Sequence, residues 1–191
     1  MTQSDAELIE RSLSEPEAFV EVFERHGAAV HAYLARRAGA QSAEELLAEV
    51  WLQALRGRDG YDPSRDDARP WLYGIARNLL RGHWRTASRR VDATPEPVDD
   101  PWDGVDASLD GAASAALLRE LLAALPAEQR EVLELVAWEE LTPQQVGEVL
   151  GVPSGTVRWR LHQARARLRT QLDEVHTEHL PQLRGASTWT R

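Results

Sequence analysis

The sequence contains no cysteine and no lysine, and only one methionine occurs among its 191 residues. Without cysteine the chain cannot form disulfides, thiolate zinc sites or iron–sulfur clusters, and it has no cysteine nucleophile. No apolar run approaches the ~20 residues that a membrane-spanning helix requires. The first residues also lack the charged-then-apolar order of a signal peptide. We therefore expect a cytoplasmic protein that holds no metal and no cofactor.

The formal net charge of -9 is distributed unevenly along the chain. Residues 68–91 contain six arginines and no acid, whereas residues 92–112 contain seven acids and no arginine. Residues 158–170 again contain five arginines and no acid. Two basic segments on an acidic background are typical of proteins that bind an anionic partner at local sites.

Apolar residues recur at helical spacing through most of the chain, which predicts an all-α fold. Ser14 with Glu17, and Ser42 with Glu45, form N-capping patterns ahead of two predicted helices. The first of these helices has its predicted core residues at Phe19, Phe23, Val30 and Leu34.

The segment 91–112 is rich in proline, glycine and acids and poor in aliphatic residues, which predicts a flexible acidic linker. We therefore predict two small helical domains, over residues 1–90 and 113–174. A tail over residues 175–191 shows no clear core pattern.

Residues 142–169 have the parts of a helix-turn-helix. Thr142 is placed to cap a short helix. Gly151 follows that helix, at the position where a helix commonly ends with a residue in the left-handed backbone conformation. The longer helix that follows carries apolar residues at steps of four, three and four, which predicts one buried stripe. The residues of this stripe are Val157, Leu161, Ala164 and Leu168.

The opposite face of this second helix is polar and arginine-rich. In helix-turn-helix docking, the N-terminal residues of the second helix meet base edges while flanking basic groups bind phosphates. The predicted base contacts are Ser154, Thr156, Arg158 and Trp159, and the predicted phosphate contacts are Arg160, Arg165 and Arg167. The alternative to DNA binding is an arginine-rich helix that is only exposed to solvent on the surface of a helical bundle.

The other basic segment interleaves arginines with aromatic residues, which suits unpaired nucleic acid because exposed bases stack on rings. Trp71 lies at helical spacing with Ile75 and Leu79, so core packing is its favoured interpretation. Tyr73, Trp84 and Arg85 are freer to have a functional role.

Four stretches together resemble the extracytoplasmic-function sigma factors, the two-domain class of the sigma-70 family. They are AEELLAEVWLQAL, RPWLYGIARNLLRGHWR, LPAEQREVLELV and LTPQQVGEVLGVPSGTVRWRLHQARARLR. The resemblance spans residues 14–172 and is specific in the order and spacing of the stretches rather than in any one of them. It implies a promoter-specificity subunit that has no catalytic residues of its own.

The resemblance also implies partners and site residues. The partners are core RNA polymerase, through the clamp helices of its largest subunit, promoter DNA and an anti-sigma factor. The implied polymerase contacts are Glu44, Glu45, Glu49, Trp51 and Leu52. The residues expected to open the -10 element are Asp67, Arg69, Tyr73, Arg77, Asn78, Arg81, Trp84 and Arg85. The helix-turn-helix would read the -35 element as duplex.

Two positions depart from the family pattern. Ala48 stands where a glutamine is usual, and Trp159 stands where the recognition helix usually has a small residue. We therefore expect an altered contact to the clamp and an altered -35 preference. The alternative function is a stand-alone helix-turn-helix regulator, and an interaction protein with basic docking helices is a further possibility.

Overall fold

The computed structural model describes residues 3–88 and 109–179, and the side chains of residues 3–88 and 116–175. Within these ranges all regular structure is helical, so the predicted all-α class is confirmed. The eight α-helices are α1 (Asp5–Arg11), α2 (Phe19–Ala38), α3 (Ala40–Gly57), α4 (Arg69–Ala87), α5 (Leu109–Ala123), α6 (Ala127–Ala137), α7 (Pro143–Leu150) and α8 (Ser154–His179). We call residues 3–88 the N-terminal unit and residues 109–179 the C-terminal unit.

Both capping patterns predicted for the N-terminal unit are wrong. The Ser14 hydroxyl donates to the carbonyl of Arg11 instead, and α2 begins after the 3-10 turn Pro16–Ala18. Ser42 lies inside α3, which begins after Gly39. Gly39 has a φ of 79°, a conformation that favours glycine, and it separates α2 from α3 by a sharp corner.

The core of the N-terminal unit lies where α2, α3 and α4 pack against one another. The largest buried side chains of these helices include Tyr33, Leu34, Leu72 and Leu80. Phe23 was expected in this core, but 45% of its surface is exposed. It lies at the edge of the helical stripe, where helical spacing alone does not decide burial.

In the C-terminal unit, α8 is the central helix and contacts α5, α6 and α7. Leu122 and Leu125 pack around Ala164, with Leu168 partly buried beside them. Val157 and Leu161 pack into the larger cluster that lies beneath α7.

The two units share one continuous core. Leu135, Leu141, Val146 and Val149 of the C-terminal unit belong to the same buried cluster as Leu72 of the N-terminal unit. Helix α4 packs directly against α7. The structure therefore joins by side-chain packing two units that the sequence pattern separates.

Helices also extend into the predicted linker and tail. Helix α5 begins at Leu109, so the last residues of the segment 91–112 are helical, and α8 continues to His179. Residues 91–108 and 180–191 lie outside the described residues. Among the described helices, none combines the length and apolar character needed to cross a membrane.

Candidate nucleic-acid interface

The first helix of the helix-turn-helix is fixed at both ends by the predicted residues. The N–H of Gln145 donates to Oγ1 of Thr142 at 3.3 Å, and the N–H of Thr142 donates to Oε1 of Gln145 at 2.9 Å. Gly151 ends the helix in the left-handed conformation, with a φ of 68°. The predicted cap and turn are confirmed, and they set the angle at which α8 leaves.

The turn brings two backbone segments so close that one position has no room for a side chain. The N–H of Val152 donates to the carbonyl of Gly147 at 2.9 Å. A Cβ atom at Gly147 would lie 2.7 Å from the backbone oxygen of Val152, which is closer than van der Waals contact permits. Gly147 therefore sets how tightly α7 and α8 approach each other.

The predicted apolar stripe holds α8 against the rest of the unit. Val157, Leu161 and Ala164 are buried, and Leu168 is partly buried. The opposite face is open to solvent, with Arg158, His162, Arg165 and Arg167 exposed and 59% of Trp159 exposed. Ser154 and Thr156, at the N-terminal end, are partly exposed.

Arg160 differs from the other arginines of α8 because an acid of the same unit holds it. Its Nη2 lies 2.6 Å from Oε2 of Glu128, and only 18% of its side chain is exposed. A guanidinium paired in this way is less available to a phosphate than the exposed Arg165 and Arg167.

At the start of α4, Asp67 and Arg69 are bound to each other. Nη2 of Arg69 lies 2.8 Å from Oδ2 of Asp67, and the backbone N–H of Arg69 donates to Oδ1 at 3.0 Å. Partial burial favours the neutral acid, but the hydrogen bonds from Arg69 outweigh it and lower the pKa of Asp67. The same carboxylate accepts a bond from Nε2 of Gln145 at 2.7 Å, so α7 touches this loop.

The expectation that Tyr73 is free is wrong. Only 2% of its surface is exposed, and its ring packs edge-on against Tyr33 with the centroids 5.1 Å apart. Its hydroxyl donates to Oε2 of Glu139 at 3.1 Å, while burial and the nearby Glu139 raise its pKa. Position 73 lies one helical turn from Ala76 and two turns from Leu80, on the face that α4 buries.

The remaining candidates on α4 divide into a paired and an open group. Nε of Arg77 donates to Oε1 of Glu131 at 2.6 Å, and its Nη2 lies 3.2 Å from Oε2. Asn78, Arg81 and Arg85 are exposed, and 46% of Trp84 is exposed. Arg81 and Trp84 line a cleft of about 780 Å³ between the two units.

The candidates on α3 form an acidic and apolar surface. Glu44 and Glu45 are exposed, Glu49 is partly exposed, and 46% of Leu52 is exposed. Trp51 is half-buried, and the rings of Phe19 and Phe23 meet it edge-on with centroids 6.1 and 5.0 Å away. The exposed ring of Phe23 therefore extends this surface onto α2, which the sequence did not indicate.

The sequence pattern also did not predict that acids of the C-terminal unit pair with the N-terminal unit. Glu131 and Glu134 lie three residues apart on α6, and Glu139 follows the helix. They pair with Arg77, Arg37 and Arg36, respectively. The spacing of Glu131 and Glu134 was a visible signal, but nothing in the pattern showed that their partners lie on α2 and α4. No cluster of three metal-binding side chains occurs within the described ranges.

The geometry places the protein among helix-turn-helix DNA-binding proteins that carry a second arginine-rich helix. Residues 22–90 match the family described as sigma-70 region 2, and residues 115–168 match sigma-70, region 4. The chain is 33% identical over 150 residues to the RNA polymerase sigma factor HrpL of Pseudomonas syringae pv. syringae, covering 75% of this chain and 81% of that protein. It is 31% identical over 160 residues to the ECF RNA polymerase sigma factor SigL of Mycobacterium tuberculosis, covering 81% and 88%. The chain belongs to the extracytoplasmic-function sigma factors of the sigma-70 family.

Solved structures agree with this assignment. CnrH, in complex with the cytosolic domain of CnrY, superposes with a TM-score of 0.64 at 25% identity, covering 89% of this chain and 97% of CnrH. The sigma factor RpoE of Bartonella quintana, in complex with the anti-sigma factor NepR, has a TM-score of 0.63 and, at 21% identity, shares the fold.

Proposed function

We propose that this sigma factor is a non-catalytic, cytoplasmic subunit that gives core RNA polymerase its promoter choice through three surfaces. Helix α8 reads the -35 element, the start of α4 and its exposed face open the -10 element, and α3 docks on the polymerase clamp helices. The observation that carries the proposal is the exposed arginine row of α8 above a buried apolar stripe.

The -35 surface is built for duplex DNA. Arg158 and Trp159 lie on the first turns of α8, where a recognition helix meets base edges in the major groove. An arginine there can bind guanine through two hydrogen bonds, and an apolar ring suits the methyl group of thymine. Arg165 and Arg167 lie further along the helix and suit phosphate contacts.

The -10 surface is built for single strands. The exposed side chains of Asn78, Arg81, Trp84 and Arg85 follow one another at steps of three, three and one along α4. A half-exposed indole among guanidinium groups allows a base to stack while the backbone phosphates are neutralised. Arg69, Arg77 and Asp67 remain proposed contacts to the -10 element. Tyr73 is buried, so we assign it to the packing of α4 and not to a DNA contact.

The clamp surface combines charge with apolar area. Glu44, Glu45 and Glu49 lie beside the exposed Leu52 on α3. Apolar centres with a polar rim are the usual composition of a protein interface. An anti-sigma factor is the further partner we propose, because CnrH and the Bartonella RpoE were solved with protein partners.

The test is co-elution of the full chain with core RNA polymerase by size exclusion at moderate salt. We expect Leu52→Glu to abolish co-elution, because it places a charge in the apolar centre of the interface. Leu13→Glu is the matched control, since 51% of Leu13 is exposed outside α3. Absence of co-elution by the unmodified chain, together with tight duplex binding by the free protein, would instead support a stand-alone regulator.

A further inference from the structure

The loop over residues 61–68 leads into α4 and contributes to the proposed -10 surface. We call it the α4 loop. Its first half is held by side chains of the loop itself. The hydroxyl of Tyr61 donates to the carbonyl of Arg65 at 2.6 Å, and the N–H of Ser64 donates to Oδ1 of Asp62 at 3.0 Å. The end of the loop is held from outside, by helix α1.

Asp5, the first residue of α1, binds the end of the α4 loop at two backbone groups. Its N–H donates to the carbonyl of Asp66 at 3.2 Å, and its Oδ2 accepts the N–H of Ala68 at 2.9 Å. These two bonds lie on either side of Asp67, whose carboxylate binds both the backbone and the guanidinium of Arg69. Because both neighbours of Asp67 are fixed, the direction in which its side chain leaves the backbone is fixed as well.

The carboxylate of Asp5 is itself held in place. Only 5% of Asp5 is exposed, and Ala68 is buried. Nη1 of Arg25 lies 3.0 Å from Oδ1, and Nε2 of His26 lies 2.7 Å from Oδ2. A buried carboxylate needs such partners, because they compensate for its lost hydration. All of these residues belong to the N-terminal unit, so the anchor of the loop does not depend on contacts with the C-terminal unit.

We propose that Asp5 is a positioning residue for promoter opening, which holds the α4 loop in the form that engages the -10 element. Asp5 touches no DNA itself and acts through the backbone of Asp66 and Ala68. The proposal rests on the proposed function, because that function assigns the end of the loop to the -10 element. A loop that the fold already holds in place loses less conformational entropy when it binds. Loss of the anchor should therefore weaken opening and leave -35 recognition unchanged.

The test compares two substitutions of Asp5 that differ in what they leave for the N–H of Ala68. Asp5→Ala removes both carboxylate oxygens, so this N–H loses its acceptor. Asp5→Asn removes the negative charge but keeps a side-chain oxygen that can accept the bond. The DNA is a promoter that the unmodified chain, bound to core polymerase, selects from randomised duplexes. Permanganate reactivity of its -10 thymines follows opening. We expect the rate constant for opening to fall about tenfold in Asp5→Ala and less than about threefold in Asp5→Asn.

A general loss of structure would affect more than opening. Both variants should still co-elute with core polymerase and bind the -35 duplex as the unmodified chain does. Arg25→Gln is the control for lost stability, since it removes the ion pair to Oδ1 of Asp5 and leaves both bonds to the loop. It should unfold at lower urea concentration and leave opening unchanged. All variants are compared at a temperature where circular dichroism shows them folded.

Hydrogen exchange measures the anchor without DNA. The amide of Ala68 should exchange about tenfold faster in Asp5→Ala than in the unmodified chain, and Asp5→Asn should keep most of the protection. If Asp5→Ala does not fold, Asp5→Glu takes its place. It keeps the charge but moves the carboxylate by one methylene, so we expect faster exchange at Ala68 and slower opening.

The positioning role and the proposed function fail in different ways. Opening that is unchanged in Asp5→Ala, or reduced equally in Asp5→Ala and Asp5→Asn, would overturn the positioning role. So would full protection of the Ala68 amide after the carboxylate is removed. If the unmodified chain neither co-elutes with core polymerase nor opens any selected promoter, the proposed function is wrong and the positioning role fails with it.

Discussion

Oδ2 of Asp5 lies 2.7 Å from Nε2 of His26 and accepts a hydrogen bond from the backbone N–H of Ala68 at 2.9 Å. Arg25 binds the other oxygen, Oδ1, at 3.0 Å. One buried carboxylate therefore ties α1 to α2 and to the residue that precedes α4. Burial alone would raise the pKa of Asp5, but the bonds from His26 and Ala68 and the positive charges lower it to about 2.

Asp5 is expected to make stability depend on acid. Because its pKa falls from 3.8 to about 2 on folding, it stabilises the fold by about 2 kcal/mol above pH 4. This contribution is lost as the pH falls from about 4 to 2. Urea unfolding at several pH values should show Asp5→Asn less stable by about that amount at pH 7 and nearly equal at pH 2. Asp59→Asn, an exposed control, should show no such difference.

Gly147→Ala is expected to destabilise the helix-turn-helix. The new Cβ would meet the backbone oxygen of Val152 at 2.7 Å, so α7 and α8 must move apart. We expect a loss of about 1 to 3 kcal/mol, as for overpacked sites. Gly74→Ala in α4 has no heavy atom within 4 Å of the new Cβ and should gain about 0.5 to 1 kcal/mol from helix propensity. Thermal unfolding measures the stability of both variants. Equal changes in stability would contradict the close approach of Gly147 to Val152.

Much of the helix-turn-helix could be predicted from the sequence, because its signals are local. Thr142, Gln145 and Gly151 act on backbone groups within a few residues, so the pattern determines the geometry. The caps at Ser14 and Ser42 failed because the same residue types also occur next to turns and inside helices. The pattern was correct where the cap, the turn and the apolar stripe agreed.

The ion pairs and hydrogen bonds between the two units could not be predicted, because their partners are far apart in the chain. Arg77 meets Glu131 and Arg36 meets Glu139 only after the two units pack together. Burial of Tyr73 has the same cause, since its hydroxyl needs Glu139 as an acceptor. Periodicity indicates which face of a helix is buried, and it does not identify a partner 66 residues away.

Arg158→Ala and Arg85→Ala should separate base recognition from promoter opening. Arg158 lies on the first turns of α8, so its loss should reduce discrimination at one -35 base pair by about 1 to 3 kcal/mol. Arg85 is exposed on α4, so its loss should slow opening and leave -35 preference unchanged. Binding selections on randomised -35 sequences and permanganate footprinting of the -10 region measure the two effects. A uniform loss of binding in both variants would contradict the division.

Arg167→Ala and Arg160→Ala should differ in salt dependence. Loss of one phosphate contact lowers the slope of log affinity against log salt by about 0.9. Arg167 is exposed and should show this change, whereas Arg160 is held by Glu128 at 2.6 Å and should show less. Polymerase-bound protein is titrated with -35 duplex at four salt concentrations. Slopes lowered equally in the two variants would show that Arg160 also binds a phosphate.

The core that the two units share makes the free energy of their association depend on temperature. Val146 and Val149 lie in the same buried cluster as Leu72, so parting the units brings apolar surface into contact with water. Hydration of apolar surface carries a positive heat-capacity change, which makes the free energy of separation a curved function of temperature. Cooling weakens the attraction between such surfaces. Any separation of the two units would therefore depend on temperature as well as on charge.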